Sequence, residues 1–98
     1  MIEIRYNNTF TYGELARVLI SFGLVERTGK TNLGIPYRAF SRENPDIVVM
    51  LPNIADSSKL EPIHLRRAVR ALEDAGIVDT SAFFQKLRQE EARDAKAA

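Results

Sequence analysis

The stretch VERTGKTNLG, residues 25–34, decides which fold the chain can have. Its Gly29-Lys30-Thr31 is the closing triplet of a phosphate-binding P-loop, which would predict a nucleotide-binding strand, loop and helix. A P-loop requires four residues between its two glycines, but five residues separate Gly23 from Gly29. A P-loop also leads into a helix, whereas no helical pattern follows Thr31. The stretch therefore predicts a hairpin turn, with no nucleotide and no other cofactor expected.

The segments around this turn predict a run of short strands. Residues 24–28 indicate one strand, and residues 35–42, IPYRAFSR, indicate a second. Residues 47–51, IVVML, are continuously apolar, as is typical of a strand buried on both faces. Residues 2–6, IEIRY, alternate apolar and polar side chains, so they could form a further strand. Because short turns join the three central strands, we expect an antiparallel meander.

Two amphipathic helices flank these strands. Thr11 and Glu14 have the spacing of a capping box, and Gly23 is placed to end the first helix. The apolar stripe of this helix is Leu15, Val18, Leu19 and Phe22. The second helix, residues 61–75, ends at Gly76, and its stripe is Leu65, Ala68, Val69, Leu72 and Ala75. Each helix has one stripe to bury, which predicts an α+β two-layer sandwich of order α-β-β-β-α, with an N-terminal extension and an extra C-terminal helix.

The extra C-terminal helix follows a cap at Asp79 or Thr80. Its apolar side chains are Phe83, Phe84 and Leu87. Exposed aromatic residues on a short terminal helix need a surface to cover them, so this helix and the exposed sheet face are candidates for contact with a protein partner or a second copy of the chain. We expect a single domain over residues 1–88 and a frayed, alanine-rich and charged tail over residues 89–98.

The amino-acid composition excludes several classes of functional site but does not indicate a particular function. The 98 residues contain no cysteine and one histidine, which excludes disulfides, thiol catalysis and multi-histidine metal sites. The net charge is +1, but residues 27–42 carry four cationic residues and no acidic residue. No apolar run approaches the length of a signal peptide core or a membrane span, so a cytoplasmic protein without membrane contact is expected.

The order and spacing of several segments resemble the HicA (YcfA-like) family of bacterial toxins, over roughly residues 11–78. These segments are YGELARVLISFG, then YRAF, then VVMLP, and finally HLRRAVRALEDAGI. The resemblance implies a fold like that of double-stranded-RNA-binding domains. It also implies binding or cleavage of mRNA in the cytoplasm, and an antitoxin-like protein as a partner.

The chain departs from the family at the catalytic position. The family carries glycine-serine-histidine in the turn after the first strand, and that histidine is catalytic. Here Gly29 matches the glycine, but Lys30 and Thr31 follow it. The ribonuclease activity is therefore not implied for this chain. His64, in the first turn of the second long helix, is the sole remaining candidate for a general base, which leaves a residual mRNA interferase as one alternative.

The basic residues indicate a surface for RNA. Double-stranded-RNA-binding domains hold phosphates with a helix N-terminus and a hairpin loop, largely by shape. The RNA-binding residues expected on this basis are Lys30, Asn32, Arg38, Arg42, His64, Arg66, Arg67 and Arg70. Phe40 lies between two of them and could stack a base, or it could face the helices as core. Glu73 and Asp74 could instead neutralise Arg70 within the helix.

The sequence thus predicts a HicA-like protein that binds RNA without cleaving it. A protein-interaction or oligomerisation module remains the alternative from another functional class.

Overall fold

The computed structural model describes residues 9–97 as three helices and one three-stranded sheet. The elements in chain order are α1 (Tyr12–Ser21), β1 (Val25–Lys30), β2 (Pro36–Arg42), β3 (Ile47–Pro52), α2 (Pro62–Asp74) and α3 (Thr80–Ala97). The strands pair antiparallel in the order β1-β2-β3. The predicted α+β meander with an extra C-terminal helix is confirmed. The strand expected over residues 2–6 lies outside the described residues.

Helix α1 begins and ends where local chemistry predicts. Thr11 accepts a hydrogen bond from the Glu14 N–H at 3.2 Å, and the Glu14 carboxylate accepts one from the Thr11 N–H at 2.8 Å. This reciprocal pair satisfies two backbone donors that the helix cannot satisfy itself. Gly23 follows with φ +88°, a left-handed conformation that ends the helix at little steric cost.

The helices cover one face of the sheet and leave the other open. On the covered face, Phe40 and Val49 are paired across β2 and β3 and are almost fully buried. The neighbouring residues Val48 and Met50 are 63% and 45% exposed. The expectation that β3 is buried on both faces is therefore wrong, because the helices cover only one face of the sheet and alternate side chains of β3 point to the other.

The core joins both helical stripes to the covered face of the sheet. The fully or nearly fully buried stripe residues are Leu15, Val18, Leu19, Leu65, Ala68, Val69 and Leu72. They form one hydrophobic cluster with the sheet, which makes residues 10–87 a single packed unit. No helix within residues 9–97 combines the length and apolar character needed to cross a membrane.

Helix α3 belongs to this core and does not present an aromatic surface. Phe83 and Leu87 are completely buried, and the Phe83 ring stacks on Phe22 with centroids 6.1 Å apart. Phe84 is partly buried and contacts the Phe10 ring. These side chains therefore do not provide the partner-binding patch expected from the sequence, because α3 packs against α1 and buries them within the same chain.

The helix also continues through the region expected to fray. Arg17 on α1 pairs with Glu90 at 2.7 Å and with Asp94 at 2.6 Å. Both carboxylates lie on α3 beyond Leu87, its last core residue. Residues 89–97 are thus helical and docked on α1 through charge pairs, which the alanine-rich composition does not reveal.

Candidate nucleic-acid interface

The Gly-Lys-Thr triplet has a structural role in the β1–β2 hairpin. Gly29 lies opposite Tyr37, and a Cβ atom at Gly29 would be 2.6 Å from the tyrosine hydroxyl. The Thr31 hydroxyl accepts hydrogen bonds from the N–H groups of Leu33 and Ile35, at 3.3 and 3.1 Å. The chain then enters β2 and not a helix, so the triplet lacks the helix N-terminus that holds phosphates in a P-loop.

Arg38, one of the predicted RNA-binding residues, lies on the covered face of the sheet and is paired there with two carboxylates. Its guanidinium donates to both carboxylate oxygens of Glu26, at 2.9 and 3.1 Å, and to Asp56 at 2.6 Å. Its side chain is 9% exposed, and the hydrogen bonds to Glu26 are the main cause that raises its pKa. Phe40 is completely buried beside it. Neither residue is accessible to a base or a phosphate in this structure.

Arg42, the next predicted RNA-binding residue along β2, caps the C-terminal end of α1. It donates to the Phe22 carbonyl at 2.8 Å and to the Asn44 carbonyl at 3.2 Å. A cation satisfies helix C-terminal carbonyls that have no partner within the helix. Arg42 therefore has a structural role that its sequence position does not indicate.

His64 is held by Tyr12, a residue that the sequence does not connect with it. The Tyr12 hydroxyl lies 2.7 Å from His64 Nδ1, and it accepts the Glu61 N–H at 3.4 Å. Burial is the main cause that raises the pKa of Tyr12, so its phenol retains a hydrogen to donate. When the Tyr12 hydroxyl donates to Nδ1, the imidazole proton lies on Nε2; when Nδ1–H donates to the Tyr12 oxygen, Nε2 carries the free lone pair. A general base needs the free lone pair at Nε2, so His64 is a hydrogen-bond donor at Nε2 in the first tautomer and a candidate base in the second.

The outer side of α2 carries the remaining predicted arginines, Arg66, Arg67 and Arg70. All three are exposed, and residues 62–72 contain no acidic residue. Within residues 9–97, Arg70 forms no ion pair with Glu73 or Asp74, and the Glu73 carboxylate accepts hydrogen bonds from the N–H and hydroxyl of Thr80. We call these three arginines the basic face of α2.

The basic face borders a shallow apolar surface. Ile63 is 55% exposed and, with Ala71 and the three arginines, lines an open groove of about 430 Å³. An apolar floor beneath guanidinium groups allows their stems to pack while the charged ends stay in solvent. The three arginines of the basic face therefore line one open groove.

The β1–β2 hairpin loop lies at the end of the sheet from which the chain proceeds to α2. The Asn53 N–H, directly after β3, donates to the Pro36 carbonyl at the start of β2, at 3.4 Å. The Gly13 N–H at the start of α1 donates to Asp56 in the same connection, and the Tyr12 contact holds His64 nearby. The exposed polar predicted residues in the hairpin are Lys30 and Asn32. Five of the eight predicted residues are thus exposed, two in the hairpin and three on α2, whereas Arg38, Arg42 and His64 make contacts within the fold.

No cluster of three or more histidine or acidic side chains suited to a metal ion occurs in the part of the chain that the structure describes. Comparisons with protein-family models, with curated proteins and with solved structures each return no match to this chain. They identify no family, so the resemblance to HicA proteins stays a prediction.

Proposed function

We propose that the protein binds RNA, without cleaving it, through the basic face of α2 and the β1–β2 hairpin loop. The observation that carries this proposal is the exposure of Arg66, Arg67 and Arg70 on a helix that has no acidic residue from position 62 to position 72. Phosphate contacts by arginine supply most of the sequence-independent affinity for nucleic acids, through release of condensed counterions.

Double-stranded RNA is the favoured form. Its shallow minor groove and neighbouring phosphates are recognised mainly by shape, by a helix and a loop that reach separate parts of the duplex. Here α2 and the loop with Lys30 and Asn32 are two such elements of one rigid fold. In the tautomer in which Tyr12 donates to Nδ1, the Nε2–H of His64 can donate a hydrogen bond to a phosphate oxygen from the first turn of α2.

The non-catalytic part of the proposal rests on His64. A residual interferase would require this imidazole to remove a proton from a ribose hydroxyl, and a hydrogen bond donated by Tyr12 to Nδ1 would leave Nε2 protonated and unable to do so. We expect purified protein to leave RNA intact on a denaturing gel. Cleavage that is lost in His64→Ala would overturn this part.

Binding is tested by fluorescence anisotropy of a labelled RNA duplex of about 20 base pairs, long enough for one domain that spans about 16. The test variant replaces Arg66, Arg67 and Arg70 by glutamine. The matched control replaces Arg88, Arg93 and Lys96 on α3 by glutamine, which changes the net charge equally on exposed positions.

We expect the α2 variant to bind at least tenfold more weakly than wild type and the α3 control to bind within about twofold of wild type. Equal losses in the two variants would mean that only net charge matters, and no binding by wild type at low salt would reject RNA binding. A DNA duplex of the same sequence serves as a second ligand, and equal affinity for it would reject the preference for A-form geometry.

A further inference from the structure

Tyr12 and His64 connect the first turns of two helices through their side chains. Tyr12 is the first residue of α1 and is 2% exposed, and His64 lies in the first turn of α2. The Tyr12 hydroxyl is 2.7 Å from His64 Nδ1, and the two rings are tilted by 53° with centroids 5.7 Å apart. The χ2 angle of a histidine has a broad, roughly two-fold preference, so this hydrogen bond fixes which edge of the ring faces Tyr12.

The other ring nitrogen of His64 reaches solvent. Nε2 forms no hydrogen bond with any of residues 9–97. Within the same residues, no buried side-chain nitrogen or oxygen lacks a hydrogen-bond partner, so Nε2 is not buried. Arg67 is exposed and lies three positions after His64, which makes the two side chains neighbours on the helix surface. An anion that contacts the basic face of α2 at Arg67 can therefore also reach Nε2.

A phosphate at Nε2 and a hydroxyl at Nδ1 favour the same state of the ring. The oxygens of a backbone phosphate accept hydrogen bonds, so the imidazole must carry a hydrogen on Nε2 to bind one. In the neutral ring, Nδ1 then has a lone pair to which the Tyr12 hydroxyl can donate. In an imidazolium, which the Glu61 carboxylate 3.9 Å from Nδ1 favours and Arg67 opposes, the same hydroxyl accepts from Nδ1. A phenylalanine at position 12 could do neither.

We propose that Tyr12 is a positioning residue for RNA binding, because its hydroxyl holds the His64 ring with an Nε2–H available to a backbone phosphate beside Arg67. This role rests on the proposed function, since it adds a contact between the first turn of α2 and the same RNA. Tyr12 is too buried to touch the RNA and acts through His64. Its effect on affinity should therefore disappear when Nε2 is absent.

The affinity of matched variants for the labelled RNA duplex tests this role. Tyr12→Phe removes only the hydroxyl and should bind at least about threefold more weakly than wild type. Tyr37→Phe, the same change at a tyrosine on β2, should bind as wild type does. His64→Asn keeps an amide near the position of Nδ1 but has no group at the position of Nε2, so it should lose at least as much affinity as Tyr12→Phe. In the His64→Asn background, Tyr12→Phe should cause no further loss.

The possible results separate this role from the proposed function. No binding of the duplex by wild type would reject both. Binding that requires the arginines of α2 but is unchanged in Tyr12→Phe would reject only the role of Tyr12. A loss in Tyr12→Phe that persists in full in the His64→Asn background would also reject it, because Tyr12 would then act through the fold and not through Nε2. Circular dichroism checks that each variant is folded.

A second measurement requires no variant. His64 is the only histidine among the 98 residues, so ring ¹⁵N spectra of untagged, histidine-labelled protein report this imidazole alone. The spectrum is recorded with saturating RNA duplex at about pH 8, where an unperturbed histidine is neutral. We expect the hydrogen on Nε2 and an unprotonated, hydrogen-bonded Nδ1. A spectrum of the complex with the hydrogen on Nδ1 would overturn the proposal.

Discussion

The two faces of the sheet use arginine in different ways. On the covered face, Arg38 is enclosed by Glu26 and Asp56, and Arg42 is bound to backbone carbonyls. On the open face, which the helices leave uncovered, Arg27 forms no ion pair within the described residues. The three arginines come from neighbouring strands of one sheet, so residue type alone does not indicate which will contact a partner. The side of the sheet on which an arginine falls decides whether it stabilises the fold or remains exposed.

The largest difference between the faces is expected in stability. Phe40→Ala removes a completely buried ring and should lower the free energy of unfolding by about 3–5 kcal/mol. Met50→Ala on the open face should change it by less than about 1 kcal/mol, because the side chain is already partly solvated. Urea unfolding measures both changes in the free energy of unfolding. Similar losses would mean that the open face is covered within the chain.

The same substitution on two arginines gives the next largest contrast. Arg38→Met should destabilise the protein by about 1–3 kcal/mol, because Glu26 loses its partner in a partly buried position. Arg27→Met should change stability by less than about 0.5 kcal/mol, since no ion pair is lost. Urea unfolding of the two variants checks this, and a larger effect at Arg27 would contradict the distinction between the faces.

A smaller effect is expected where Gly29 on β1 pairs with Tyr37 on β2. Gly29→Ala should cost about 1–2 kcal/mol, because its Cβ would collide with the Tyr37 hydroxyl. The same change should cost much less in a Tyr37→Ala background, which removes the ring. A double-mutant cycle by urea unfolding measures this coupling. Equal costs in both backgrounds would show that Gly29 is needed for another reason.

The smallest expected effect concerns the buried carboxylate of Glu14 in the first turn of α1. Burial is the main cause that raises the pKa of Glu14, and hydrogen bonding to Asp94 raises it further. A raised carboxylate pKa contributes stability below the unfolded-state pKa that is lost as pH rises through the folded-state pKa. Glu14→Gln keeps the capping box but removes this charge.

The difference in stability between the variant and wild type should therefore shift in favour of the variant as pH rises from 4 to 7. We expect this shift to be smaller than the loss of stability caused by Gly29→Ala. Thermal unfolding at the two pH values measures the gain. Asp94 has the opposite behaviour, because the hydrogen bond from Arg17 lowers its pKa and the hydrogen bond with Glu14 lowers it further. A difference between the proteins that is independent of pH would contradict the account of Glu14.

Local signals in the sequence were sufficient for most of the fold. Thr11 and Glu14 predicted the start of α1, Gly23 its end, and the apolar stripes predicted which helical residues are buried. The exposure of Val48 and Met50 was not predictable, because an apolar run looks the same whether helices cover one face of a strand or both.

The contacts of the site required the tertiary structure. Tyr12 and His64 are 52 positions apart, and Arg38 pairs with residues on two other segments, so no sequence pattern brings them together. The last turns of α3 form ion pairs with Arg17, which the sequence shows only as one more surface cation. The basic face of α2 was predictable, because helical periodicity alone places its arginines opposite the apolar stripe.

The central claim is that RNA contacts are made by the basic face of α2 and not by the arginines of the covered sheet. The most direct test is the salt dependence of RNA affinity for wild type and for the variant with Arg66, Arg67 and Arg70 replaced by glutamine. If each arginine contacts one phosphate, the slope of log affinity against log salt should become shallower by about 2–3 in the variant. An unchanged slope in a folded variant would contradict the claim and would place the phosphate contacts elsewhere on the protein.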